Sequence, residues 1–264
     1  MVGGRHSDSD TVICVRGLRN QFGNHVVHEN LDLHVRRGEI LGVVGGSGTG
    51  KSVLLRTISG LQTPAAGSVE VLGVDVLHAD EEARAGLEAR WGVMFQDAAL
   101  FSSLTVRENV EVPMRAVAGL DPAIRKELAD LRLSMAGLPW AAGDKYPSEL
   151  SSGMRKRAGL ARALALDPEI VFLDEPTAGL DPIGASAFDE LIVRLSRAMG
   201  LTVFLVTHDL DTLHAVCDRI AVLAERKVLV TGTMKEMLKV DHPWVHAYFH
   251  GPRARAALDA AAPE

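Results

Sequence analysis

Three short stretches carry residue types whose spacing suits phosphate chemistry. The first, Gly45, Gly46, Ser47, Gly48, Thr49, Gly50, Lys51 and Ser52, fits the pattern G-x-x-x-x-G-K-S/T. It follows the apolar run EILGVV and opens the helical pattern VLLRTISGL, the context such a loop requires. Glycines let the backbone curl so that its N–H groups turn inward, and the helix N-terminus adds partial positive charge. Lys51 then reaches the terminal phosphates of a nucleotide, and the Ser52 hydroxyl is a Mg²⁺ ligand. The second stretch, EIVFLDEP, ends in two adjacent carboxylates. Asp174 suits Mg²⁺, held through water, and Glu175 suits polarising the attacking water as general base. Alone, such a pair reads equally as an acidic turn; beside a phosphate loop it reads as catalysis. The third stretch, LTVFLVTHD, sets His208 at the end of another apolar run. Neighbouring strands of an open α/β sheet present their carboxyl ends to one crevice, so His208 is placed to hydrogen-bond a γ-phosphate. It stands apart from the other nine histidines, most of which read as solvated surface. Gln96, closing WGVMFQ, is placed to watch either that phosphate or the metal.

A fourth stretch, LSSGMRKRAGLARAL, runs from a serine-rich turn into a helix carrying Arg155, Lys156, Arg157 and Arg162. Ser151, Ser152 and Gly153 at a helix N-terminus form a second anion cradle. The basic residues behind it either reinforce the field or simply face solvent.

These groups need elements to hold them. TVICVRGL and HVVHENLDLHV read as strands, the second alternating through Val27, Leu31, Leu33 and Val35. EILGVV is a continuous apolar run, as in a strand buried on both faces of a parallel sheet. Further strands are expected at GSVEVLG, WGVMFQ, EIVFLDEP, LTVFLVTHD, RIAVLAE and KVLVTG, most of them separated by helices, which makes an α/β core. Residues 98–165 show helical patterns with no strand among them, as in a helical lobe inserted into that core. Residues 1–10 are polar and expected to be flexible, and PRARAALDAAAPE at the C-terminus lacks a firm apolar face.

Composition limits the possibilities further. The chain has 264 residues, 47% of them hydrophobic, and 28 basic against 34 acidic groups leave a net charge of −6. A nucleic-acid binder is not expected from that balance, so an anion site must be local. Two cysteines, Cys14 and Cys217, read as core residues in a reducing compartment. The N-terminus has no secretory pattern, and no apolar run approaches the ~18–20 residues that span a bilayer. Membrane association is expected only through a partner.

The order phosphate loop, Gln96, LSSGM, IVFLDEP, GLD and THD resembles the ATP-binding subunits of ABC transporters over residues 11–240. The resemblance implies a P-loop NTPase fold: an ABC-type nucleotide-binding domain with an N-terminal antiparallel β subdomain and an inserted helical lobe, followed by a C-terminal extension at 241–264. It implies ATP and Mg²⁺ as ligands, with catalysis by Glu175, His208 and Gln96. Ser52, Gln96 and Asp174 would serve the metal, and Phe22 would stack on adenine, its alternative reading being a strand-end core residue. It also implies a homodimer with a transmembrane permease. In that arrangement Ser151, Ser152 and Gly153 bind the γ-phosphate of the partner's ATP, and Asp181 relays between sites. Ser152 and Met154 depart from the common L-S-G-G-Q.

Met154, MFQDAALFSSLTVRENV and DPIGA resemble the ATPases of Mla-type, organic-solvent-tolerance and MCE-associated systems, as does the C-terminal HPWVHAYFHG, which in that group reaches a neighbouring ATPase. This implies phospholipid or other lipid transport at the cytoplasmic face of a bacterial inner membrane, with an MCE-domain protein and a small STAS-like protein as further partners. The alternative is an importer or exporter ATPase for amino acids, metals or lipoproteins. Leu100, Phe101 and Leu104 follow Gln96 in a loop and need a cover: either a cytoplasmic permease helix, or the core itself with Phe101 as an anchor. A soluble ABC protein of DNA or ribosomes would carry two cassettes or a long coiled coil.

Overall fold

The computed structural model describes residues 10–251; the expectations for the first nine residues and for PRARAALDAAAPE fall outside the described residues. Two sheets and a helical lobe make up the architecture. The smaller sheet is antiparallel, with β1 (Thr11–Phe22), β2 (His25–Arg36), β4 (Ala66–Val71) and β5 (Val74–Asp75) in the order β2-β1-β4-β5. The larger contains β3 (Ile40–Gly45), β6 (Trp91–Met94), β7 (Ile170–Asp174), β8 (Thr202–Val206), β9 (Arg219–Ala224) and β10 (Lys227–Gly232) in the order β10-β9-β3-β8-β7-β6. All its neighbours pair in parallel except β10, which is antiparallel to β9.

The central strands are apolar because helices or the second sheet cover both their faces. All residues of β3, β7 and β8 are buried. Between the sheets, α1 (Lys51–Ile58) buries Leu54, Leu55 and Ile58 with Val15, Leu18, Leu31, Val69, Phe172 and Phe204. Phe172 touches Trp91 edge-on at 5.9 Å and Phe204 at 5.8 Å. A fully buried side chain of this size contributes roughly 2–3 kcal/mol. On the opposite face, α6 (Pro182–Met199) packs Phe188, Leu191, Ile192 and Leu195 against β7 and β8. Asp181 caps α6 and Pro182 sets its first turn; Gly200, at φ 66°, ends it.

The expected strand-free lobe is present as α3 (Val106–Met114), α4 (Pro122–Met135) and α5 (Ser152–Ala163), with short 3₁₀ turns between the last two. A capping box joins Thr105 and Glu108 at the start of α3. Val106, Val110, Leu133, Leu150 and Ala158 form the lobe's own core. Buried Arg107 ties α3 to Asp130 of α4 at 2.6 Å and also pairs with Asp144. The remaining helices are α2 (Glu81–Glu88), α7 (Leu210–Val216), α8 (Met234–Met237) and α9 (Pro243–Phe249). Val245 and Phe249 are fully buried against Val44, Leu213 and Val222. This part of the C-terminal extension is therefore core of its own chain.

One histidine departs from the solvated reading. Alternation along β2 holds for Leu31, Leu33 and Val35, but Asn30 is left-handed (φ 49°) and the β1–β2 register shifts nearby. That bulge reverses the parity, so His28 turns inward and is fully buried. Its Nδ1 lies 3.0 Å from Asn20 Nδ2, which donates to Thr57 of α1 at 3.1 Å.

Burial pulls the pKa of His28 down to about 4 from 6.5. The folded state thus resists a proton that the unfolded chain accepts, so stability present above pH 6.5 is lost as pH falls towards 4. Asp189 in α6, lifted to about 7 by burial, acts with the opposite sign. Comparison with a His28→Gln variant isolates the histidine. Urea unfolding near pH 7.5 and near pH 5 is expected to show about 2 kcal/mol more acid loss in the native sequence than in the variant. Equal losses would refute this account.

Candidate functional site

The phosphate loop begins where β3 ends. Gly45 leaves the strand with no room for a side chain, since a Cβ there would stand 2.5 Å from the Leu223 carbonyl oxygen. Gly50, at φ 90°, caps α1 in the left-handed region; its Cβ would strike Val27 Cγ1 at 2.4 Å and His28 Nε2 at 2.5 Å. The requirement is double, for conformation and for space. Thr49 Oγ1 donates to the Gly46 carbonyl at 2.9 Å and stiffens the curl, while Ser47 and Gly48 at its tip are exposed. Lys51 Nζ donates to the carbonyls of Gly45 (2.9 Å) and Gly46 (3.2 Å). Burial lowers its pKa, and the charges of Glu175 and Asp174 oppose that shift.

Asp174 ends β7 with 6% of its surface exposed. It accepts a hydrogen bond from Ser52 Oγ at 3.2 Å. Burial raises its pKa, the Ser52 bond lowers it, and the neighbouring charge of Glu175 raises it again. A hydroxyl and a buried carboxylate at hydrogen-bond distance, beside a lysine, are the donor set a phosphate-bound Mg²⁺ requires. The residues present fit that ion. A divalent cation would relieve the burial that pushes the Asp174 carboxyl upward.

Glu175 is left-handed (φ 50°), which bends the chain out of β7 while its N–H donates to the Val206 carbonyl of β8 at 2.8 Å. Its Oε2 lies 2.8 Å from His208 Nδ1. His208, just past β8, has an exposed ring and a backbone carbonyl that accepts from Tyr248 Oη at 2.9 Å. Gln96 lies two residues beyond β6 with its side chain exposed. The carboxyl ends of β3, β7, β8 and β6 thus deliver Lys51, Asp174, Glu175, His208 and Gln96 to one crevice, as a doubly wound sheet should.

Other expected residues stand apart from this set. Phe22, at the far end of β1, is 46% exposed, which fits a free aromatic face better than a core residue. Ser151 caps α5, its hydroxyl accepting from the Met154 N–H at 3.3 Å. Ser151 and Ser152 are exposed on the helical lobe and Gly153 is half-buried. Asp181 accepts from the Gly184 N–H at 2.9 Å at the start of α6 and is also exposed. Among the described residues no hydrogen bond joins Ser151, Ser152, Gly153 or Asp181 to the phosphate loop of the same chain.

The basic residues of α5 are not a solvated face. Arg155 donates to the Leu150 carbonyl at 2.6 Å, Arg157 to that of Ala136 at 3.0 Å, and Arg162 to those of Ala98 and Ala99, each at 2.7 Å. Lys156 is buried. A signal for it existed, because Lys156 falls in register with Gly159, Leu160 and Ala163 on the buried stripe of α5. Two further residues at the site escaped a reading of motifs. Trp244 Nε1 lies 3.6 Å from the position a Gly46 Cβ would take, and it stacks on Tyr248 at 4.9 Å. Both come from α9, whose short amphipathic pattern says nothing about where it docks.

The family described as ABC transporter matches residues 28–178. The probable ribonucleotide transport ATP-binding protein mkl of Mycobacterium leprae is 35% identical over 243 residues, 91% of this chain and 69% of that one. The methionine import ATP-binding protein MetN of Caulobacter vibrioides is 41% identical over 215 residues, 81% of this chain and 64% of that one. Among solved structures, the dimeric post-hydrolysis state of the ATP-binding cassette MJ0796 with ADP and Pi superposes with a TM-score of 0.77 at 29% identity, covering 84% of this chain and 98% of that one. The cbiO1 protein of Clostridium perfringens, part of the ABC transporter complex cbiONQ, gives 0.79 at 28%, covering 95% and 99%. The chain belongs to the ABC transporter family, as an ATP-binding subunit that hydrolyses ATP to drive transport.

Proposed function

We propose that this ATPase powers lipid transport, with phospholipid as the cargo, through a permease in the bacterial inner membrane. The observation that carries the catalytic part is the convergence of Lys51, Ser52, Asp174, Glu175 and His208 at adjoining strand ends. In this reading the loop N–H groups and Lys51 hold the β- and γ-phosphates, and Phe22 stacks on adenine. Ser52, Asp174 and Gln96 hold Mg²⁺, which neutralises charge on the phosphate oxygens. Water attacks the γ-phosphorus, the bond to the β-γ bridging oxygen breaks, and the water proton passes to Glu175. His208 engages Oε2 of that carboxylate, leaving Oε1 without a protein partner among the described residues. His208 also hydrogen-bonds the γ-phosphate.

The Ser151 and Ser152 turn is exposed and, among the described residues, makes no hydrogen bond to the phosphate loop of its own chain, which supports a homodimer in which it binds the partner's ATP with Gly153 while Asp181 relays between sites. The solved cassette MJ0796 is dimeric. Among the described residues no helix is long and apolar enough to cross a membrane, so membrane attachment in this reading comes through the permease. Support for the lipid assignment comes from Met154 in the signature turn and from the ALF following Gln96, with an MCE-domain protein and a small STAS-like protein as further partners. A second reading has a specific observation in its favour: relatives named for methionine import reach 42% identity over 203 residues. Under it the cargo is a small polar solute.

Co-purification with the permease encoded beside it, followed by mass spectrometry of bound molecules, separates the two. Phospholipid retained at about one molecule per complex is expected; an amino acid in its place would overturn the lipid reading. Phe101 supplies the second test. It is 52% exposed, whereas the adjoining Leu100 packs onto the lobe core. In this reading the exposed Phe101 ring contacts the permease, so Phe101→Ala should lower ATPase activity of the assembled complex several-fold while moving the isolated chain's unfolding by no more than about 0.5 kcal/mol. Loss of stability with normal assembly would make Phe101 an anchor of the lobe instead.

A further inference from the structure

We infer that Lys156 is a positioning residue for hydrolysis, pinning the backbone of Glu175 and of Gln96 to the helix that carries the signature turn. The inference rests on the reading of Glu175 as general base. Lys156 sits on α5, 5% exposed, and its Nζ donates to the Glu175 carbonyl at 2.9 Å and to the Gln96 carbonyl in a short contact. Those acceptors lie just beyond the ends of β7 and β6, 19 and 60 residues from Lys156 in sequence. One ammonium therefore joins two strand ends to the lobe.

Physical chemistry gives the contact its weight. Left-handed backbone at a residue with a Cβ costs roughly 1–2 kcal/mol and persists only where its surroundings hold it. Glu175 is such a residue: its N–H donates to the Val206 carbonyl, and its own carbonyl accepts from the Ala178 N–H at 3.2 Å and, at the shorter distance, from Lys156, the one side chain among the described residues that grips this backbone. The segment after Gln96 is gripped in the same manner. Ala98 and Ala99 are left-handed (φ 60° and 45°), and their carbonyls accept from Arg162. Gly159 lets Ala98 approach so closely that a Cβ there would lie 2.8 Å from the alanine methyl. A buried ammonium needs compensation, and the carboxylates of Asp97, Glu175 and Asp174 provide it against the burial that lowers its pKa. A methionine at this position would fill the same space without any of these bonds.

The consequence is a direct mechanical link. The N-terminus of α5 is the turn that receives a partner's phosphate in the proposed dimer, and Lys156 stands one helical turn further on. Seating that turn fixes α5, and α5 fixes the carboxylate and the glutamine. Lobe movement and base placement become one event.

Single-turnover hydrolysis by the full chain, with protein in excess over labelled ATP, tests this. Lys156→Met should slow hydrolysis at saturating ATP by about 10²-fold, since displacements near 1 Å can have that effect, while ATP Kd stays within about threefold. Lys156→Gln, which keeps a donor, should fall between Met and the native residue. Arg157→Met serves as a same-helix control, because it removes the bond to Ala136 without touching a strand end; it should lower the melting temperature and leave the rate within about twofold. A native rate in Lys156→Met overturns the proposal, as does a rate loss that follows Kd or that Arg157→Met reproduces. If Lys156→Met does not fold, the same criteria apply to Lys156→Gln. Glu175→Gln in the same assay separates the two ideas. If it turns over near the native rate, the general-base reading fails and takes this inference with it. If it is inactive while Lys156→Met is normal, only the role of Lys156 is lost.

Discussion

A loop that holds phosphates with its own N–H groups must curl more tightly than side chains permit, and that constraint organises much of this molecule. Gly50 is left-handed and faces Val27 and His28 at distances no Cβ could share. The floor beneath it must therefore be both close and firm. The bulge at Asn30 supplies closeness by turning His28 inward, and the bonds from Asn20 to His28 and to Thr57 supply firmness by tying β1 and β2 to α1. The antiparallel sheet is thus part of the phosphate site, although none of the motifs lies in it.

A second constraint acts on the other wall of the crevice. Glu175 must leave β7 and immediately turn towards β8, where His208 meets its carboxylate. Parallel order places Gly45, Asp174 and Val206 at the same end of neighbouring strands, so the strand order itself brings their carboxyl ends together. Its rim is held by backbone contacts from two distant elements. Lys156 and Arg162 reach in from the lobe, and Tyr248 reaches in from α9 to the His208 carbonyl. Each acts on backbone, so the placement of a catalytic group is set partly through its own main chain, in addition to any contact its side chain makes.

Much of this was legible in the sequence, and what was not has physical causes. The phosphate loop, the carboxylates closing IVFLD and the histidine after VFLV follow from local patterns: a buried run, a glycine-rich turn, a helix start. The strand-free lobe is also plain from periodicity. Sheet order is not, because a continuous apolar run such as EILGVV gives no sign that it pairs with β8 and β9, both far away in sequence. His28 was hidden by a one-residue bulge that no alternation pattern contains. Lys156 looked like one charge in a basic run, although its register with Gly159 and Leu160 marks the buried face. The docking of α9 depends wholly on tertiary contacts of Val245 and Phe249.

In the proposed homodimer the phosphate loop of one chain and the Ser151 turn of another form one site. A mixed dimer of Lys51→Ala and Ser151→Arg chains addresses it most directly. Each variant alone has a defect at every site, whereas the mixture contains one site built from intact Lys51 of one chain and intact Ser151 of the other. Occluded nucleotide, measured by rapid filtration on affinity-purified heterodimers, reports on that site without requiring turnover. The account predicts occlusion of about one ATP per heterodimer and essentially none in either homodimer. Verified heterodimers that occlude no ATP would show that Ser151 serves its own chain, and would contradict the shared site.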